Sequence, residues 1–332
     1  MSKTTFLALC LPLLGWAEYR VVNRFPVPGD GGFDYMTFDA SSRRLYVSHG
    51  TKLDVLEADS GRILGSITGM LGVHGIAISG ATHRGFITAG GEDRVIVFDL
   101  PTLKVIRKVD VGQRPDGIFY HSPTNRVFTN NHGSHDISVL DGTTGDLIGT
   151  VPLKGDAEET IAGPDGLLYT NVEDTAEVAA YDPKALTVVK RFPIGVAKVP
   201  TGLAYDAKNN RLFITCRTEP KMVVMDAATG KVVASYPIGT GPDWAEFDSD
   251  SKDVLVSTSE GVLNVFRQKS ADVYQPSSVP TQQGSRTMAF DRKTKRIFLP
   301  SALYDEQPAA DGRKGTRRVI RPGTFAVLVL DK

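Results

Sequence analysis

The chain has 332 residues, with 38 Lys and Arg balanced by 38 Asp and Glu, and only two cysteines. Zero net charge leaves no global field to gather nucleic acid or anionic lipid. Two thiols cannot make a disulfide scaffold, and beyond a short N-terminal run no stretch is apolar enough to span a bilayer.

Residues 1–17 read as a Sec-type signal peptide: Lys3 opens it, an apolar run covers 6–14, and small residues follow at Gly15 and Ala17. Cys10 is no lipidation site on this pattern, because Leu9 is large where a lipobox needs a small residue. An uncleaved, buried N-terminal helix is the other reading. On the first, the protein is periplasmic or secreted and the domain runs over 18–332. Cys216 is then its single thiol, at a strand end inside a repeat, where a small apolar filler is expected rather than a nucleophile.

From residue 18 onward the chain consists of short apolar runs separated by Asn, Asp and Gly. The clearest unit is 200–239, PTGLAYDAKNNRLFITCRTEPKMVVMDAATGKVVASYPIG. Its four runs of four to seven residues predict four antiparallel strands, and no window shows a helical period. One such meander cannot bury both faces alone. Seven copies align on the second run at Tyr46, Phe86, Phe128, Tyr169, Phe213, Leu255 and Phe298, spaced by 40, 42, 41, 44, 42 and 43 residues. Most copies end their third run in Asp, whereas the sixth has Arg267. A four-stranded unit repeating every 42 residues or so predicts an all-β fold, a seven-bladed β-propeller. The last copy lacks a fourth strand, and residues 20–27 (RVVNRFPV) are left over before the first. They are expected to complete the last blade and close the ring, which removes the open sheet edges.

The pieces RLYVSHG (44–50), NRVFTNNHGSHDISVLDGTTGDLIGTV (125–151), GLLYTN (166–171) and MVVMDAATGKVVASYPIGTGPD (222–243) resemble the YVTN β-propeller repeat. The resemblance covers the whole of 18–332 and implies a secreted or periplasmic propeller. It does not choose a function. Similar proteins include surface-layer-like propellers and a branch associated with single-stranded DNA, and the architecture also hosts lactonases, lyases and PQQ- or haem-dependent oxidoreductases.

In a propeller the first strand of each blade lines the central channel. The residues just ahead of these strands are Asp34, His74, Asp116, Glu158, Thr201, Asp243 and Arg286, spaced by 40 to 43 residues, with a one-residue gap in the turn that follows Glu158. They are expected to form one ring at the channel mouth. Five of the seven are acidic or imidazole, and carboxylates gathered there repel one another unless a cation, an arginine or a proton intervenes. Arg286 and Arg114 are the candidate internal counter-charges. A bound divalent cation is the alternative, with oxygen ligands pointing to Ca²⁺ or Mg²⁺ and His74, beside Asp116 and Glu158, admitting Zn²⁺. The structural reading is that these side chains only cap their loops.

The loops between second and third strands open on the same face. Residues 130–136 (NNHGSHD) bring Asn131, His132 and His135, and two histidines three apart could ligate one metal. His49 occupies the matching place in the first copy, and Arg217 in the fifth. Trp244 is a stacking platform at the mouth or packing between blades. Residues 301–323 replace a five-residue loop and carry Arg313, Lys314, Arg317, Arg318 and Arg321, offset by Asp305, Glu306 and Asp311. Such a loop is functional, or simply mobile and solvated.

No zincin, c-type haem or other catalytic motif is present. The function expected is therefore a binding or interaction module using the channel-mouth face, for a small molecule or a protein partner. A lactonase- or lyase-type enzyme with a metal at the mouth is the first alternative, and single-stranded nucleic-acid binding, which neutral charge disfavours, the second. A monomer is expected.

Overall fold

A computed structural model describes residues 19–29, 31–308 and 316–332. The leader expected at 1–17 and the cations Arg313 and Lys314 lie outside these residues. Seven four-stranded antiparallel sheets form the blades of a β-propeller. Their first strands are Met36–Asp39, Val73–Ser79, Pro115–His121, Ala157–Ala162, Lys198–Asp206, Pro242–Asp248 and Ala289–Asp291, which begin blades I to VII. Among the described residues the one helical turn is the 3-10 segment Ser122–Thr124, and no helix is long and apolar enough to cross a membrane.

The ring closes through both chain ends. Arg20–Pro26 pairs antiparallel with Ala326–Asp331, in a register that sets Phe25 opposite Val327, and so supplies the fourth strand of blade VII. The seven residues that define the repeat, from Tyr46 to Phe298, are at most 1% exposed. They pack between blades rather than within them. Tyr46, Leu53 and Val55 of blade I meet Ile76, Ile87 and Phe98 of blade II in one cluster. Phe213 and Val224 of blade V meet Phe247 and Phe266 of blade VI in another. Each sheet thus hides one face against each neighbour, as the sequence pattern demands. Cys216 is buried in such a cluster, and burial pushes its thiol up to about 12.

The exception at Arg267 is compensated. In blades II, III, V and VII an Arg that starts the second strand faces the Asp that ends the third: Arg84 and Asp99, Arg126 and Asp141, Arg211 and Asp226, Arg296 and Asp331. Blade VI inverts the pair. Asp253 faces Arg267, whose Nε donates to Oδ1 at 2.6 Å. Opposite charges directly across a ladder attract in either order.

The long loop of blade VII is not featureless. Tyr304–Pro308 pairs with Thr316–Ile320 as a two-stranded hairpin. Arg321 is ion-paired to Asp305, and the Arg318 guanidinium lies 4.3 Å from the Tyr304 ring centroid. Tyr304 itself packs against Gly284, two residues before Arg286, which puts the base of the hairpin on the ring side of the blade.

Candidate site at the channel mouth

In six of the seven copies, blade VII having Pro300 there, the position two residues after the aligned residue holds the ring in place. These residues are Ser48, Thr88, Asn130, Asn171, Thr215 and Ser257, all buried and all polar. Thr88 Oγ1 accepts from Gly75 N at 2.7 Å and donates to Asp116 O at 2.6 Å in the next blade. Asn130 Nδ2 donates to Glu158 O, Asn171 Nδ2 to Thr201 O at 2.7 Å, and Ser257 Oγ to Arg286 O. Thr287 Oγ1 closes the circuit by donating to Asp34 O at 2.6 Å. A β-strand interior tolerates a buried amide or hydroxyl only when it is bonded. Here each bond fixes the backbone from which a mouth side chain projects.

Glycine serves the same end at the position after the ring residue. A Cβ on Gly75 would stand 2.7 Å from Asp116 O, and one on Gly117 2.7 Å from Glu158 O. Only Gly lets the next blade's loop approach so closely.

On this frame the side chains alternate in sign around the mouth. His74 Nδ1 donates to Asp34 Oδ2 at 2.8 Å and lies 3.5 Å from Asp116 Oδ1. His132 Nε2 stands 3.8 Å from Asp116 Oδ2 and 3.8 Å from Glu158 Oε2. Arg217 Nη2 is 3.6 Å from Glu158 Oε1 and bonds Asp243 Oδ1, while its Nη1 donates to Glu173 Oε1 at 2.8 Å. Arg286 Nε is ion-paired with Asp243 Oδ2 at 2.5 Å, and its Nη2 donates to Asp34 Oδ1 at 3.0 Å. The order Asp34, His74, Asp116, His132, Glu158, Arg217, Asp243, Arg286 is a closed loop of acids and bases.

Two members of this loop differ from the seven positions read off the repeat. Thr201 turns away and donates to Pro242 O at 2.9 Å, so it is a structural clamp. Its place is filled by Arg217, from the end of the second strand of the same blade, and His132 enters from the loop of blade III. Arg286 is a counter-charge as expected. Arg114 is not, for its side chain is exposed and its backbone NH is held by Asp93 Oδ1, leaving Arg217 as the second permanent cation. The two histidines of residues 130–136 do not share a site. His135 Nδ1 lies 2.6 Å from Asp156 Oδ1, near Asp174, while His132 faces Asp116 and Glu158. His49 does not reach the rim either. It is fully buried against the Phe325 ring, with Nδ1 2.8 Å from Asp54 Oδ2. Asn131 is likewise internal, bonded to Asp136 and Ser138.

Tyr35 was not among the expected residues. It is 7% exposed and donates to Glu158 Oε2 at 3.2 Å. Its signal was a Tyr directly after the ring residue, where three other copies have Gly. Trp244 occupies the same place in blade VI and meets Tyr35 edge-on at 5.9 Å. Trp244 also lines the channel, where a cavity of about 360 Å³ is walled by Met36, Phe38, Ile76, Ile118 and Phe290 together with Glu159 and Glu246. A larger cavity, about 670 Å³, lies away from the mouth between Ser122–Thr124 and the 163–166 turn of blade IV.

The charges are unevenly neutralised. Burial would raise Asp34, but the hydrogen bond from His74 and the charge of Arg286 hold it below the usual carboxylate value. Burial would lower His74, and the hydrogen bond and charge of Asp34 with the charge of Asp116 raise it instead. Asp116 is pushed up to about 6 by burial and the charge of Asp34. Burial and the charge of Asp116 drive Glu158 well above the ordinary Glu range. Deeper in the channel, burial lifts Glu159 to about 8 and Glu246 to about 7, the latter despite Arg292. Among the described residues two groups of mouth side chains have metal-ligand spacing, Asp34 with His74 and Asp116, and Asp116 with His132 and Glu158. His74 and Glu158, expected to share a metal with Asp116, fall into different groups.

No family model matches the chain. Over 133 residues it is 26% identical to Protein NirF of Stutzerimonas stutzeri, an alignment that covers 39% of this chain and 33% of that protein. The likeness thus spans a third of the curated relative. Among solved structures it is similar to Kuenenia stuttgartiensis hydrazine synthase, with a TM-score of 0.72 and 15% identity over 82% of this chain and 94% of the other. At that identity the likeness bears on architecture alone, and the chain is a seven-bladed β-propeller.

Proposed function

We propose that the protein is a binding module whose channel-mouth face takes a positively charged ligand. One observation carries this reading. Among the described residues five carboxylates converge there, those of Asp34, Asp116, Glu158, Glu173 and Asp243, against the two permanent cations Arg217 and Arg286. A concave site with a surplus of one sign focuses its field and draws in the opposite charge. The two arginines are spent on carboxylates, which leaves little at the mouth to hold a phosphate backbone and argues against the single-stranded nucleic-acid reading.

The chain further reads as an exported YVTN-repeat protein, on the repeat pieces at 44–50, 125–151, 166–171 and 222–243 and on the apolar run at 6–14. It folds as one domain over 18–332 and acts as a monomer. A lactonase- or lyase-type enzyme with a metal at the mouth is the second reading. It draws on Asp116, a carboxyl near pH 6 beside the Asp34–His74 pair, which suits a general base.

Thermal-shift measurements test the main reading. Spermidine, a lysine-rich peptide and Zn²⁺ serve as cationic probes, and citrate and a short oligonucleotide as anionic ones. At least one cation is expected to raise Tm in a manner abolished by Asp116→Asn, with no shift from the anions. Stabilisation by the anions alone overturns the reading.

A further inference from the structure

The loop of acids and bases is tight on one half and slack on the other. From Asp243 through Arg286 and Asp34 to His74 the successive contacts are a 2.5 Å ion pair and hydrogen bonds of 3.0 and 2.8 Å. From His74 through Asp116, His132 and Glu158 to Arg217 they are 3.5, 3.8, 3.8 and 3.6 Å. His74, Asp116, His132 and Glu158 make no direct hydrogen bond with one another on that side, although the side chains face one another. His132 Nε2 and Asp116 Oδ1 are buried atoms with no hydrogen-bond partner. Unbonded buried polar atoms are rare, and each asks for a partner.

We propose that Asp116, His132 and Glu158 bind a divalent transition-metal ion of the zinc type, at the seam between blades III and IV. This deepens the reading of the mouth as a cation site and rests on it. The spacing suits the ion. Two ligands about 2.1 Å from one tetrahedral metal lie about 3.4 Å apart, close to the 3.8 Å that separates His132 Nε2 from each carboxylate oxygen. All three ligand atoms lie within 4.8 Å of one another. One imidazole nitrogen with carboxylate oxygens is a donor set that favours Zn²⁺ and its neighbours over Ca²⁺ or Mg²⁺, which take oxygen alone. Around these ligands stand groups that orient them. The Tyr35 hydroxyl donates to Glu158 Oε2 at 3.2 Å, and Asn130 pins the Glu158 backbone. The backbone NH of His132 donates to Arg114 O at 3.0 Å, and Gly133 N to Gln113 O at 2.8 Å, so the loop that presents the imidazole is fixed at both sides. A dication would balance Asp116 and Glu158, the two mouth carboxylates that no arginine holds within hydrogen-bond distance. The Asp34–His74 pair, already bonded, flanks the site rather than joining it.

The test is titration of the chelator-treated full chain with ZnCl₂ by calorimetry, with metal content by elemental analysis. One Zn²⁺ per chain is expected. Asp116→Asn, His132→Ala and Glu158→Gln should each weaken it by at least about tenfold, while His135→Ala leaves it unchanged. Co²⁺ in place of Zn²⁺ should give visible absorption bands that His132→Ala abolishes. Far-UV circular dichroism checks that each variant is folded, and Glu158→Gln, nearly isosteric, decides if His132→Ala is not. Equal Zn²⁺ affinity in a folded His132→Ala or Glu158→Gln protein overturns the assignment. So does absence of Zn²⁺ binding. In that case stabilisation by spermidine would still uphold the mouth as a cation site, and failure of every cation would remove both readings.

Discussion

Arg286 Nη2 donates to Asp34 Oδ1 at 3.0 Å, and this contact ties the first strand of blade VII to that of blade I on the channel side. The same guanidinium holds Asp243 in blade VI, so one side chain links three blades. Arg286→Ala leaves Asp34 with His74 alone and Asp243 with Arg217 alone, both carboxylates being mostly buried. Breaking a fully buried pair costs about 3–5 kcal/mol and a surface pair about 1 kcal/mol or less. With 43% of the Arg286 side chain exposed, the loss should fall between, at about 2 kcal/mol. Urea unfolding measures it. Arg286→Lys should recover only part, because an ammonium cannot fork to both acids.

The inverted pair of blade VI gives a second prediction. Asp253→Arg and Arg267→Asp should each destabilise, since each sets like charges across the ladder. Together they restore the order seen at Arg211 and Asp226. The double variant should therefore be more stable than the sum of the singles by about 0.5–3 kcal/mol. It will remain below the parent, because Lys332 also bonds Asp253 at 2.9 Å and would then face an arginine.

A third prediction concerns pH. Burial opposes the charge on Asp248 and Asp253, yet hydrogen bonds from Lys295 and Ser251, and from Arg267 and Lys332, hold both below the usual 3.8. Stability from these groups is present above 3.8 and is lost as pH falls through their lower folded values. Glu159 and Glu246 act at the other end. Folded, they keep their protons up to about 8 and about 7, whereas the unfolded chain releases them near 4.5. The native state therefore binds more protons between those values, and stability declines as pH rises across that window. Unfolding curves from pH 3 to 9 should show a maximum on the acid side of neutral. Glu159→Gln should flatten the alkaline limb; an unchanged limb would contradict the assignment.

The glycine beside Asp116 offers a fourth. Gly117→Ala places a methyl 2.7 Å from Glu158 O, which is already held by Asn130. The clash is with backbone, so blade IV must shift, at about 1–3 kcal/mol. Gly166→Ala, in an open turn with no neighbour within 4 Å, serves as a contrast: it should disturb its own left-handed backbone and leave the mouth contacts of Glu158 in place. Crystal structures of the two variants would distinguish these outcomes.

How far the sequence foretold the mouth can be judged residue by residue. The repeat located each blade's first strand to within a few residues: His74, Asp116, Glu158, Thr201 and Asp243 lie inside these strands rather than ahead of them, and six of the seven positions from Asp34 to Arg286 do converge. Thr201 does not, because a repeat specifies backbone and not where a short side chain finds its bond. His132 and Arg217 were expected at the rim and lie in the loop itself, since long side chains at second-strand ends reach inward. His49 ends the second strand of blade I and His135 lies in the same loop as His132, yet Asp54 and Asp156 claim them. Spacing cannot foresee such competition between local partners. The inversion at Asp253 and Arg267 was visible only as a break in pattern, because its remedy lies across the ladder rather than along the chain.

The strand Arg20–Pro26 finds its partner only in Ala326–Asp331, about 300 residues away. Translation delivers Arg20–Pro26 long before Ala326–Asp331. Six blades can assemble from neighbouring stretches while the seventh waits. Phe25, Val27 and Phe325 share one cluster with Leu45 and Phe298 and are covered only when both ends arrive. A product cut short at its C-terminus would carry an unpaired strand and an uncovered apolar patch, the features by which proteases and chaperones recognise faulty chains. The fold in this way reports whether Ala326–Asp331 has been made.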